Sequence, residues 1–118
     1  MKNQSFPMKL RNAFVGIRCA WVDERNFRVH VLLGLVTLGV FILVRPSALW
    51  WALIVLCIVM VLVAELVNSA VETLIDHLHP QLDPAVGKVK DILAGMVLVM
   101  SIGAAIVAMI ALYATLVA

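Results

Sequence analysis

The run Ala64-Glu65-Leu66-Val67-Asn68-Ser69-Ala70-Val71-Glu72-Thr73-Leu74-Ile75-Asp76 continues an apolar stretch that begins near Leu49, yet it carries three acids. At 100° per helical residue, Glu65, Asn68, Glu72 and Asp76 fall at roughly 0°, −60°, −20° and +20°, a single polar stripe. Leu66, Val67, Val71, Leu74 and Ile75 take the opposite face. A carboxylate inside a membrane span costs about 2.5 to 3.5 kcal/mol on insertion scales, so Glu65 and Glu72 require compensation from protein, water or metal. The stripe is expected to face an interior rather than lipid.

The rest of the chain supplies the membrane. Its 118 residues are 64% apolar with a mean hydropathy of +1.10, against about 45–50% apolar residues in an ordinary soluble domain. That composition excludes a soluble fold and leaves room for three spans of about 20 residues each plus short flanks. The net charge of +2 matters less than its placement. Lys2, Lys9, Arg11, Arg18, Arg25 and Arg28 precede the first long apolar run, the first hairpin offers only Arg45, and the C-terminal end has no basic residue. By the positive-inside rule the N-terminus is cytoplasmic, the segment bearing Lys88 and Lys90 returns to the cytoplasm, and the C-terminus lies outside. No apolar core of signal length followed by a small-residue cleavage site is seen near the N-terminus, so no secretory signal is expected. Cys19 and Cys57 read as small apolar residues on different elements.

In chain order, Leu10, Phe14, Ile17 and Trp21 recur at helical spacing among Lys9, Arg11, Arg18 and Asp23, which predicts an amphipathic helix over 7–24 lying on the membrane surface. Residues 23–30 form a dense polar break, through which Arg28 is placed to snorkel. The first span is predicted over 28–45, ended by Arg45-Pro46, with Trp50 and Trp51 marking the outer interface. The second covers 48–77; at 1.5 Å per residue its roughly 29 residues reach about 43 Å, enough to cross and project into the cytoplasm. His77 to Pro84 is a loop by its two prolines. The third span is predicted over 85–117, where Gly95, Ser101, Gly103, Ala104 and Ala108 offer surfaces for close helix packing. The whole chain, 1–118, reads as one all-α membrane domain.

The cytoplasmic mouth of this bundle gathers Glu24, Glu65, Asn68, Glu72, Asp76, Lys90 and Asp91. Carboxylates with amide and ammonium donors suit an oxygen-ligated hard cation such as Mg2+, which keeps several waters and often bridges phosphates. A neighbouring lysine can neutralise a transferred phosphoryl group. A purely structural polar network joining the helices is the competing reading. The chain has no glycine-rich phosphate loop, Rossmann fingerprint or kinase-type catalytic loop, so any nucleotide must be handled by carboxylate-bound metal and lysine.

Glu65-Leu66-Val67-Asn68-Ser69-Ala70-Val71-Glu72-x-x-x-Asp76, followed by Lys90-Asp91, resembles the signature of the prokaryotic membrane-embedded diacylglycerol kinase family, which includes the undecaprenol kinases. Gly16-Ile17-Arg18, Trp21 and Glu24-x-x-Phe27-Arg28 extend the likeness over most of the chain. The resemblance implies a homotrimeric bundle in the bacterial inner membrane that transfers the ATP γ-phosphoryl group to a lipid hydroxyl at the cytoplasmic face. By position, Glu65 is similar to the catalytic base, Glu24 and Glu72 to the ligands of Mg2+, and Asn68 and Asp76 to residues supporting that site. Asn12, Glu24, Glu72, Gln81, Asp83, Lys90 and Asp91 match nucleotide-facing positions. Arg18, Trp21, Asn26, His30 and Glu65 match the positions that meet the lipid. ATP, a lipid alcohol and the membrane are the implied partners, with no nucleic acid.

Two positions depart from the diacylglycerol branch. Its early arginine aligns with Ser5, leaving Lys9 or Arg11 as substitutes, and an acid before its first span is His30 here. Glu24-Arg25-Asn26-Phe27-Arg28-Val29-His30 looks more like the undecaprenol branch, and both lipids stay open. From the residues alone the alternative is a small proton- or ion-conducting bundle relaying through Glu65 and Glu72. Against it, the outer half of each span carries no ionisable path.

Overall fold

The computed structural model describes residues 3–117. They form four helices, α1 Phe6–Asp23, α2 Arg25–Val44, α3 Ala48–Leu78 and α4 Pro84–Val117. Helices α2, α3 and α4 are each long and apolar enough to cross a membrane.

The boundary between α1 and α2 is narrower than the polar run suggests. Only Glu24 leaves helical geometry, at φ −115° and ψ 105°. Its N–H still donates to Ala20 O at 2.9 Å, and its own carbonyl accepts from Arg28 N at 3.3 Å. One residue thus closes α1 and opens α2. Arg28, expected to snorkel, instead turns its Nη1 back onto the carbonyls of Trp21 and Val22, at 2.6 and 3.0 Å. The physical reason is that the last carbonyls of a helix lack partners within it, and a cation there satisfies them. The charges of this segment cap helix ends rather than build a loop, so α2 begins at Arg25 and Glu24 stands outside α1.

At the other end of α2, Arg45 adopts φ 60° and ψ 61°, the left-handed turn that commonly ends a helix and is usually given to glycine or asparagine. Pro46 follows and α3 starts at Ala48. The core forms beside this turn, from Phe41, Ile54 and Ala111 of three different helices, with Val44, Trp50, Trp51, Ile58, Ala108 and Leu112 around them. Phe41 meets Trp51 edge-on, with centroids 6.4 Å apart. Nearer the middle, α2 crosses α3 closely at Gly34, where an added Cβ would stand 2.9 Å from Ile58 Cγ2.

The small residues of α4 face two spaces, and Ala104 borders both. Ser101, Ala104 and Ala108 face a cavity shared with α2 and α3. Gly95 and Gly103 meet nothing within 4 Å of an added Cβ and instead line an open apolar groove with Met60, Met96 and Met100. Close packing expected at those two glycines is not made within one chain. On α1 only Ala20 is buried, so Leu10, Phe14, Ile17 and Trp21 leave their apolar edges uncovered.

Candidate active site

The three long helices alternate in direction, which brings the N-terminal end of α2, the C-terminal half of α3 and the start of α4 to one end of the bundle. Glu65 is the buried acid of this end, with a relative exposure of 4%. Facing it from α2, His30 Nε2 stands 3.1 Å from Glu65 Oε1. The carboxylates of Glu24 and Glu72 lie within electrostatic reach of Glu65 as well. Glu24 arrives from the α1–α2 break and is held against α3 by Ser69, whose Oγ donates to its Oε1 at 2.9 Å. Ser69 sits at roughly +40° on the helical wheel of α3, between the turns of Glu65 and Glu72. One residue outside any helix therefore delivers a carboxylate to the middle of the α3 stripe.

Closer to the helix end, Lys90 Nζ of α4 donates to Asp76 Oδ1 at 2.6 Å, and Glu72 also acts on the ammonium group. Asn68, on the same stripe, keeps its Oδ1 buried without a hydrogen-bond donor. In a tightly packed interior such an acceptor is uncommon, and it marks a place where a ligand or water is wanted.

Among the expected site residues, the fold joins Glu24, His30, Glu65, Asn68, Glu72, Asp76 and Lys90 at this end. Others stand apart. Asn12 donates to Gln4 Oε1 at 3.1 Å along α1 and lies about 18 Å down that helix from Glu24 at 1.5 Å per residue. Asp83 works as the N-cap of α4. Its Oδ1 accepts from Ala85 N at 2.7 Å, Pro84 occupies the first helical position, and His79 approaches its other oxygen at 3.4 Å. The Ala85 N–H first, and His79 second, hold the Asp83 carboxyl below its ordinary pKa. Gln81 and Asp91 are exposed, as are Arg18, Trp21 and Asn26 around the α1–α2 break. Ser69 and the pairing of His30 with Glu65 were not legible from residue type. Ser69 carried a signal in its angular position, four residues after Glu65 and three before Glu72.

The donor set tests which metal fits. Among the described residues no three His, Cys, Asp or Glu side chains stand close enough to cage an ion, which speaks against a zinc-like site closed by protein ligands. Two partly buried carboxylates, Glu24 and Glu72, suit Mg2+, which takes one or two protein carboxylates and fills its shell with water and phosphate oxygens.

The model of the prokaryotic diacylglycerol kinase family matches residues 11–112 of this chain. The chain belongs to that family. Among its curated relatives, a protein of Helicobacter pylori named diacylglycerol kinase is 33% identical over 76 residues, covering 64% of this chain and 59% of the relative. One of the same name from a Synechocystis strain is 33% identical over 101 residues, covering 85% and 58%. The Escherichia coli K12 protein, also so named, is 28% identical over 91 residues, covering 77% and 75%. The chain thus spans a little under three fifths of the length of the first two relatives. The matched region of the family model contains the α3 stripe, Glu24, His30 and Lys90.

Proposed function

We propose that the chain is a lipid kinase using ATP and Mg2+, transferring the γ-phosphoryl group to the hydroxyl of diacylglycerol or undecaprenol. The single observation carrying this reading is the convergence of Glu24, Glu65, Glu72 and the Asp76–Lys90 pair at one end of three membrane-length helices. Membership of the diacylglycerol kinase family supports it. A relay of protons across the membrane finds no comparable support.

In this reading Glu65 removes the proton of the lipid hydroxyl. The freed oxygen bonds to the γ-phosphorus as the bond to the β-phosphate oxygen breaks, and ADP leaves. Phosphoryl transfer asks mainly for positioning and charge neutralisation, so helix-borne groups suffice without a phosphate loop. Glu24 and Glu72 would hold Mg2+, which when bound neutralises phosphate charge. Lys90 stands where it can leave Asp76 for a phosphate oxygen, with Asp91 beside it. Asn68 supplies an open acceptor on the same face. Gln81, Asp83 and Asn12 would meet the nucleotide only from farther out. Arg18, Trp21 and Asn26 would border the path by which lipid arrives, α1 resting on the inner-membrane surface with the N-terminus cytoplasmic. A homotrimer would cover the groove around Gly95 and Gly103.

The test is direct. Protein purified in detergent with diacylglycerol or undecaprenol and Mg-ATP is expected to yield the phosphorylated lipid, followed by phosphorus NMR. A folded protein that phosphorylates neither lipid contradicts the proposal.

A further inference from the structure

Glu65 lies within electrostatic reach of two acids, Glu24 and Glu72, and faces one basic group, His30, at 3.1 Å. The imidazole has a second neighbour. It lines a cavity of about 260 Å³ running between α2, α3 and α4 past Thr37, Cys57 and Ser101 as far as Ala108. Glu65 itself does not line that cavity, so His30 stands between the cavity and the carboxylate. One helical turn beyond His30 is Gly34, at the close crossing with Ile58. The crossing fixes the register of α2 on α3, and with it the height at which Nε2 meets Oε1.

We infer that His30 is a positioning residue: it anchors Oε1 of Glu65 against repulsion by the Glu24 and Glu72 carboxylates, leaving the second oxygen free to take the hydroxyl proton of the lipid. This rests on the lipid-kinase reading of the same site. A fixed carboxylate matters because misplacing a reacting group by about 1 Å can cost on the order of 10²-fold in rate. The effect belongs in kcat for the lipid, since the groups assigned to ATP lie on other turns.

Glutamine and methionine have similar length and volume and differ in the donor, so His30→Gln and His30→Met separate anchoring from filling. The expected result is that H30M loses about 10- to 100-fold in kcat with the KM for ATP unchanged, while H30Q stays within about threefold of the parent. Circular dichroism follows folding, and H30A replaces H30M if the latter does not fold. Equal turnover in H30M and the parent, or equal losses in H30M and H30Q, would overturn the inference. So would loss of fold in both apolar variants with H30Q intact, which assigns His30 to structure alone. Failure of the parent chain to phosphorylate any lipid sinks the kinase reading instead, and is seen before any variant is made.

Discussion

A carboxylate in a membrane-length helix must find partners, and at Glu65 they come from two other segments: His30 from α2 and, through Ser69, the Glu24 carboxylate. This makes Glu65 the residue whose change is most informative. Glu65→Gln keeps its size and removes its basicity, and is expected to lower lipid phosphorylation by about 10³-fold or more, with helix content by circular dichroism preserved. At Lys90 the expectation differs. Lys90→Met removes the cation that Asp76 holds at 2.6 Å, and should raise the KM for ATP about tenfold or more while lipid KM stays near the parent value. A matching loss of lipid affinity would place Lys90 in some other role. The α3 acids were legible as a stripe because charge in an apolar run is costly and helical angle is simple arithmetic, and Lys90 was legible from its place at the cytoplasmic mouth of the last span. The basic partner of Glu65 was not, since nothing in residue type says which face of α2 meets α3.

At the scale of elements, two ends decide how the site is presented. Proline and glycine mark loops well, so the Arg45-Pro46 turn and the start of α4 could be read from sequence, whereas the α1–α2 break contains neither: its polar run located it at 23–30 without showing that Glu24 alone leaves the helix and Arg28 caps it. The α4 end is set by Asp83, whose carboxyl is held below its ordinary range by the Ala85 N–H. A depressed carboxylate contributes stability above its unfolded pKa of about 3.9 and loses it as pH falls through the lower folded value. Asp83→Ala should therefore lower the melting temperature near neutral pH and flatten its decline in acid. Asp83→Asn, still a capping residue, should lose less than Asp83→Ala at neutral pH and flatten the acid decline too. Equal melting of the parent and Asp83→Ala across this range would remove the cap from the account. In the middle of the bundle, Gly34→Ala gains about 1 kcal/mol of helix propensity but overpacks Ile58 at a cost of about 1–3 kcal/mol. The net loss should be at most about 2 kcal/mol, with activity reduced more than stability because His30 rides on the same turn.

Across the whole molecule, the three spans and their alternation could be read from hydropathy and basic residues, since twenty apolar residues have few other uses. What one chain's sequence could not specify is where apolar surface ends in protein rather than lipid. Gly95 and Gly103 illustrate this: both looked like packing positions, yet both open onto an uncovered groove. If copies associate there, light scattering in detergent should report three chains, and Gly103→Leu should shift the protein toward monomers with its helix content unchanged. The account as a whole depends on the α3 stripe being a phosphotransfer site. Its most direct test is the appearance of label in extracted lipid when the parent protein and Glu65→Gln are each given γ-labelled ATP, Mg2+ and a lipid alcohol. Label in the parent's lipid, and almost none with Glu65→Gln, is the predicted result; equal labelling by both, or none by either folded protein, would contradict it.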